Sequence, residues 1–493
     1  MTVSMDGASP IVHGVLDALG DGAPVAPLDL SERRRLHVVG VGGPGMSAIA
    51  IVLAEMGHDV SGSDLRDRPV LDRCRAAGVD VLVGHDPAVV HGCDAITWST
   101  AIPERNVERT EAEAIGVPSL HRSGMLASVC AQAQSLGVAG THGKTTTTSM
   151  LMLMLAEAGM RPSFVIGGDV TDMGTGAQWT GGEWFVVEAD ESDGTHLTLP
   201  LYGTILTNVD VDHLEHWGSF EAIADGFDRY LSGIAGPKVL CLDDPHCAAL
   251  AARHEVITYG TDPAAEYCAV DVTAEHGSFV FAVEHHGRRL GTISLPLRGM
   301  HNVRNATGAL ALAMTVGVPF DVAAAALAKF GGVARRFDVR AVDGGATLVD
   351  DYAHIPTEIR AVMAGARASG DGWQRVVAVF QPNRYNRMAL LWPEYADAFV
   401  DADLVVLTEI FPSGTTPIPG VTGKLVVNAV LDAHPSTRLV WLPRREDLVE
   451  FLAGELGEGD VCISMGCGDV ATLPDEVAAR RTQRRAAAGR RDQ

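Results

Sequence analysis

Ser135-Leu-Gly-Val-Ala-Gly-Thr-His-Gly-Lys-Thr-Thr146 is the stretch from which the fold is read. A short apolar run, Ser135–Ala139, ends in glycine, and an apolar helix pattern runs from Thr145 to Ala158. Strand, glycine turn and helix in that order form a cradle for phosphate, because the free N–H groups of the helix start point at whatever anion fills the turn. The lysine is informative in itself. The chain has four, Lys144, Lys238, Lys329 and Lys424, among 38 basic residues. Val138 stands where the general P-loop pattern has its first glycine, so the loop Gly140–Thr146 is a shortened one.

The same rhythm extends in both directions. Upstream, Arg35–Val39 leads into Gly40-Val-Gly42-Gly43-Pro-Gly45 and an apolar stretch Met46–Met56, followed by strand patterns at His58–Ser61, Val79–Val83 and Ala95–Trp98. Downstream come strands at Trp184–Glu188 and Gly203–Thr207, alternating segments at Phe279–Ala282 and Leu290–Leu295, and an Ala-rich helix over Asn305–Val316. A third series has strands at Thr347–Val349, Val376–Phe380, Leu404–Leu407 and Val461–Met465. Repeated strand–helix alternation predicts an α/β fold with parallel sheets. Three domains are expected: a Rossmann-like one over 34–121, a central P-loop-type one over 122–333 and a Rossmann-like C-terminal one over 334–479. Residues 1–33 and 480–493 read as flexible ends, the latter carrying Arg480, Arg481, Arg484, Arg485, Arg490 and Arg491.

Composition excludes several classes. Of 493 residues, 47% are hydrophobic and 20% charged, a globular balance. The net charge of −24 argues against a nucleic acid partner, whose phosphates demand the opposite sign. Eight cysteines show no Cys-x-x-Cys and no zinc spacing, and read as small buried hydrophobes in a reducing compartment. Asp6 and Asp17 interrupt any signal-peptide pattern, and apolar runs such as Met150–Ala156 are too short to span a bilayer. A cytoplasmic protein without membrane insertion is expected.

The chemistry concentrates at strand ends. Gly40–Gly45, with Ser63 and Asp64 closing the next strand, suits a diphosphate-linked nucleotide, and nothing in it separates NAD from another such ligand. In the second loop Lys144 draws charge from phosphate oxygens and the Thr145 hydroxyl can reach Mg²⁺. Glu188-Ala-Asp190-Glu191-Ser-Asp193 reads either as a solvated acidic turn or as a cation site; beside a phosphate loop, Mg²⁺ ligation by Glu188 is the better reading, with His213 as a second cation ligand. His301, Asn302 and Arg304 stand immediately before the Ala-rich helix, where they could merely cap it. Asp351, Tyr352, His354, Arg384 and Arg387 follow third-series strands, and paired arginines suit a carboxylate.

Taken together, Gly40–Ser47, Ser99–Ile102, Gly140–Thr146, Glu188–Asp193, Asn208–His213, His301–Ala306, Arg335–Phe337, Asp350–Glu358 and Phe380–Arg387 resemble the Mur ligases, in family order across about residues 35–475. The resemblance implies a first domain that holds the UDP part of UDP-N-acetylmuramate through Gly40, Gly42, Gly43, Gly45, Ser63, Asp64, Ser99 and Arg122. It implies ATP bound by Gly140, Thr141, His142, Gly143, Lys144, Thr145, Thr146, His301, Asn302, Asn305 and Asp351, and Mg²⁺ on Thr145, Glu188 and His213. Lys144, Glu188, His213 and His354 would be catalytic. Tyr352, His354, Arg384 and Arg387 would receive the incoming amino acid, L-alanine, with the third domain closing over an acyl phosphate. Later members bridge their cations with a carbamylated lysine; no lysine occurs between Lys144 and Lys238, as fits the alanine-adding member. Pro44, Asn383, Ile355 and Phe411–Thr415 depart from the family pattern. The rival within the family is a muropeptide-recycling ligase that adds a tripeptide to the same sugar.

Overall fold

The computed structural model describes residues 27–171 and 173–488. Their chain forms three sheets, each mainly parallel and covered on both faces by helices, which is why the inner strands read as nearly unbroken apolar runs. The first sheet has the spatial order Asp80–Val83, Asp59–Asp64, Arg35–Val39, Ala95–Trp98, Ser119–His121. All four pairings are parallel. Strand order therefore reverses beside Arg35–Val39, and the loop leaving that strand, Gly40–Gly43, opens into the crevice the reversal creates.

The second sheet repeats the arrangement around the central strand Gln134–Ala139. On one side of it lie Gly203–Leu206, Lys238–Cys241, Ile257–Gly260 and Tyr267–Glu275; on the other lie Trp184–Glu188, Ser163–Val170 and Thr175–Gln178. Ser278–His285 and Arg288–Leu295 are also strands. The phosphate-type loop thus leaves the strand at which the chain changes direction.

The third sheet runs Asp338–Asp343, Ala346–Asp351, Asp460–Met465, Arg375–Phe380, Leu404–Leu407, Leu439–Trp441, with only its first pair antiparallel. Alternate residues of one strand point to opposite faces. Ala378 and Phe380 accordingly enter one apolar cluster while Val377 and Val379 enter another.

Leu36, Val38, Val52 and Leu53 of the first sheet's layer share a buried cluster with Phe185, Val187, Leu206 and Phe227 of the second. The backbone N–H of Trp179 also donates to Glu55 Oε2 (2.6 Å), at the end of helix Pro44–Glu55. Two compact units result. One carries the first two sheets through Val270, with 283–291 and 304–327; the other comprises 271–282, 292–303 and the chain from Ala328.

The two ends differ from expectation wherever they are described; residues 1–26, Arg490 and Arg491 lie outside the described residues. Leu30 is buried, and Leu28 N–H donates to Ser128 Oγ (2.8 Å), so the segment before Arg35 is docked. The arginine cluster is no frayed tail either, because it belongs to helix Leu473–Ala488. Helical spacing explains the difference: Arg480 and Arg484 fall on one stripe and reach Glu450, while Arg481 and Arg485 fall on the next and reach Asp343. Arg481 is buried, donating to Asp343 Oδ2 (2.7 Å) and to the Leu456 carbonyl (2.6 Å). Arg481→Ala strands that carbonyl and should cost about 2 kcal/mol. Scanning calorimetry should show the transition of the third-sheet unit falling by ~4–8 °C; an unchanged transition would mean these hydrogen bonds contribute nothing.

Candidate active site

Gly140 takes φ +125°, and a Cβ there would lie 2.1 Å from Thr207 Oγ1. Gly143, with φ +79°, caps helix Lys144–Glu157 and faces Asn305, whose Oδ1 would be 2.8 Å from a Cβ. Both glycines are therefore required by sterics as well as by backbone angle. The loop between them is fastened to the neighbouring strand end. His142 N–H donates to Asn208 Oδ1 (2.9 Å), Asn208 Nδ2 donates to the His142 carbonyl (3.0 Å), and Thr207 Oγ1 donates to the same carbonyl (2.6 Å). Thr141 Oγ1 accepts from Asp210 N–H (2.9 Å).

Lys144 starts the helix with its ammonium turned back under the loop. Nζ donates to the Gly140 carbonyl (2.7 Å) and to Glu191 Oε2 (2.6 Å). Glu191 is buried in that ion pair, and the Lys144 side chain is only 11% exposed. Burial opposes the lysine's charge, but Glu191, Asp190 and Glu188 together overcome it and hold the ammonium protonated well above its ordinary range. Burial pushes the Glu191 carboxyl upward, with Lys144 pulling the other way.

Thr145 Oγ1 lies 3.2 Å from Glu188 Oε1, and Glu188 Oε2 accepts Gly167 N–H (2.9 Å). The loop hydroxyl and the strand-end carboxylate expected to share a cation are thus adjacent. His213, with φ +52°, donates its N–H to Asp212 Oδ1 (2.7 Å) and places Nε2 3.3 Å from Asp212 Oδ2. It stands close enough to Glu191 to favour that carboxylate's charged form. The remaining carboxylates of the run are engaged by Arg122, which donates to Asp193 Oδ2 and Asp190 Oδ2 at 2.8 Å each. Burial disfavours the Asp190 charge, yet Lys144 and Arg122 outweigh it and keep that carboxyl far below the usual range.

At the first sheet Asp64 Oδ2 accepts Gly42 N–H (3.0 Å), so the predicted ribose carboxylate also closes the glycine turn. Arg122 comes within 3.5 Å of the position a Cβ on Gly45 would take. Ser99 is half-buried, and its carbonyl accepts Ile102 N–H (2.9 Å). Ser63 differs from expectation. Its side chain is fully buried and donates to Glu108 Oε2 (2.6 Å), while its carbonyl accepts Gly40 N–H and Val41 N–H. It supports the turn from beneath and does not line it.

Among the nucleotide candidates, His301, Asn302 and Asn305 all lie in helix Met300–Thr315. Asn302 Nδ2 donates to the Arg298 carbonyl (2.7 Å). In the third sheet the expected residues gather at strand ends. Asp351 is buried and accepts Phe337 N–H and Ala353 N–H, each at 2.7 Å; burial pushes its carboxyl up to about 6. The Tyr352 ring lies 4.9 Å from the Arg335 guanidinium and 5.0 Å from that of Arg336. His354 Nδ1 sits 3.0 Å from the Tyr352 carbonyl and 3.2 Å from Glu358 Oε2. Arg384, with φ +60°, opens helix Tyr385–Leu391 and donates its N–H to the Phe411 carbonyl (2.9 Å). Arg387 is buried and donates to Asn383 Oδ1 (3.0 Å). Cys467, at the end of the adjoining strand Asp460–Met465, is the one half-buried cysteine; burial raises its thiol, and Arg387, Arg384 and Arg335 pull it back.

Sequence reasoning places Glu188 at the cation but does not assign Glu191 as the counter-ion of Lys144, or Asp190 and Asp193 as partners of Arg122. The signal is present: a buried ammonium needs a buried carboxylate, and four acids on one strand end supply it.

Three family descriptions match the chain: "Mur ligase family, catalytic domain" over residues 35–134, "Mur ligase middle domain" over 138–313, and "Mur ligase, glutamate ligase domain" over 335–468. A UDP-N-acetylmuramate–L-alanine ligase of Pelobacter propionicus is 40% identical over 88% of this chain and 95% of its own length. The crystal structure of a UDP-N-acetylmuramate–alanine ligase from Thermotoga maritima superposes with a TM-score of 0.77 at 26% identity, covering 92% of this chain and all of the other. A UDP-N-acetylmuramate:L-alanyl-γ-D-glutamyl-meso-diaminopimelate ligase from Neisseria is 28% identical, with a TM-score of 0.56, over 61% of this chain and 98% of its own.

Proposed function

The chain belongs to the Mur ligase family, and on that premise we propose that it joins L-alanine to the lactyl carboxylate of UDP-N-acetylmuramate with cleavage of ATP to ADP and phosphate. The observation that carries the reading is the buried Lys144 ammonium beneath a glycine loop, in a chain about 40% identical to alanine-adding ligases over nearly its whole length. We propose domain boundaries at 34–121 for the UDP-sugar, 122–333 for ATP and 334–479 for the amino acid. Eight unpaired cysteines suit a cytoplasmic enzyme, and no helix among the described residues is long and apolar enough to cross a membrane.

The carboxylate is a poor electrophile, so its oxygen first attacks the γ-phosphorus and ADP departs. Loop N–H groups from Gly143 to Thr146 orient the phosphates, and Lys144 neutralises charge as two anions approach. Thr145, Glu188 and His213 would hold Mg²⁺; the hydroxyl and carboxylate oxygens 3.2 Å apart suit a hard cation, which when bound supplies further positive charge to the phosphates. The alanine amine then attacks the acyl carbon and phosphate leaves. Arg384 and Arg387 grip the alanine carboxylate. With Nδ1–H of His354 donated to the Tyr352 carbonyl, Nε2 carries the lone pair that can take the amine proton. Asp351 is proposed as the partner of the ATP ribose.

Phosphate release with UDP-N-acetylmuramate and ATP should depend on L-alanine and proceed faster with it than with serine, glycine or the tripeptide. A rate that responds to the tripeptide and not to alanine assigns the chain to muropeptide recycling instead.

A further inference from the structure

Away from this machinery, a turn and a strand start bring three metal-type ligands together. Glu266 precedes strand Tyr267–Glu275; His285 ends strand Ser278–His285, and His286 turns toward strand Arg288–Leu295. Glu266 Oε1 lies 3.1 Å from His285 Nε2 and 3.3 Å from His286 Nε2. One donor atom from each residue lies within 4.8 Å of the others. Donors about 2.0–2.1 Å from a tetrahedral zinc stand about 3.3 Å apart, so two edges of the coordination figure already have their length.

The ligands are held before any ion arrives. Glu266 N–H donates to Thr258 Oγ1 (3.0 Å), and the Glu266 carbonyl accepts His286 N–H (2.9 Å). The backbone therefore ties the two segments independently of the side chains. The His285 ring stacks on Tyr267 with centroids 4.3 Å apart and planes at 23°, which fixes the imidazole plane. His286 takes φ +50°, an uncommon angle outside glycine, and that angle brings consecutive histidines to one carboxylate. Its side chain is 68% exposed, leaving the fourth position open to water.

We propose that Glu266, His285 and His286 form a surface site for a divalent ion of the zinc type, separate from the ATP site. Two imidazoles and one carboxylate favour borderline metals such as Zn²⁺ or Co²⁺ over Mg²⁺, which favours a set made mainly of oxygens and water. The ion would fasten the turn to the strand start, and ligation of alanine would not require it.

The full-length protein is titrated with Co²⁺ and with Zn²⁺, reading the Co²⁺ visible spectrum and calorimetric stoichiometry. Mg²⁺ and ATP are kept saturating so that the nucleotide site is occupied. The wild type should bind one more equivalent than His286→Ala, and Glu266→Gln should weaken that equivalent at least about tenfold. Because His286 is exposed, its truncation should leave the fold and alanine ligation intact, and activity reports this directly. Should Glu266→Gln fail to fold, His285→Asn replaces it. Equal stoichiometry and affinity in wild type and His286→Ala would overturn the proposal and leave a plain histidine–carboxylate ion pair.

Discussion

Lys144→Ala should lower turnover at least about a hundredfold, the scale on which removing one preorganised charge raises a transition state. The position of the ammonium sets this scale. It is buried, it closes on the Gly140 carbonyl, and Glu191 holds it from the far side. Such a group loses little entropy when phosphate arrives and is poorly screened by water. Alanine at 144 also leaves Glu191 buried without its partner, so a stability loss of about 3 kcal/mol would accompany the rate loss. Two effects are separable. In the double variant Lys144→Ala/Glu191→Gln the lone buried charge disappears, and stability should largely return while turnover stays low. Binding of UDP-N-acetylmuramate, measured by calorimetry, should barely change, because Gly40–Gly45 belongs to a different sheet. Near-wild-type turnover in Lys144→Ala would remove the phosphate loop from the mechanism.

The parts of this fold that are legible in the sequence are those where one local pattern repeats. Gln134–Ala139 and Arg35–Val39 are buried on both faces, so each reads as an apolar run, and the glycines after them are required by close approaches that no other residue tolerates. Strands with mixed faces are not legible. Ser163–Val170 carries two glycines and an aspartate, and Thr175–Gln178 hardly alternates, yet the pair forms because helix Pro44–Glu55 packs on it. Leu439–Trp441 and Ser119–His121 are three-residue edge strands with no periodicity to detect. The candidate site divides in the same manner. Residues bound to a motif, such as Lys144, Thr145 and Asp351, can be named directly. Partners chosen by burial cannot: Ser63 looks identical in sequence whether its hydroxyl faces a ligand or Glu108, and only the packed structure sends it to Glu108. The C-terminal arginines escape a sequence reading for a related reason, since a charge run becomes a helix face only when Asp343 and Glu450 stand opposite it.

The substitution with the next largest expected effect tests the third sheet. Arg387→Lys and Arg384→Lys should raise the Michaelis constant for alanine roughly ten- to hundredfold, the range of a desolvated bidentate hydrogen bond, while that for ATP changes little. Lysine keeps the charge and loses the planar fork, so the test isolates geometry. Arg387 is the more sensitive of the two. Its guanidinium is buried and positioned by Asn383 Oδ1, so that asparagine serves to aim it. Lysine cannot both reach Asn383 and present two parallel donors to a carboxylate. Arg384 sits at φ +60° with its N–H fixed to the Phe411 carbonyl, and lysine accepts that backbone no worse than arginine does. Any change at 384 therefore reports on the side chain. If the two arginines instead stabilise the acyl phosphate, turnover falls and the Michaelis constant for alanine stays at its wild-type value. Steady-state kinetics with alanine varied at saturating ATP and UDP-N-acetylmuramate separates the two outcomes. Wild-type values of both parameters in both variants would place the amino-acid site away from the strand ends at Arg375–Phe380 and Asp460–Met465.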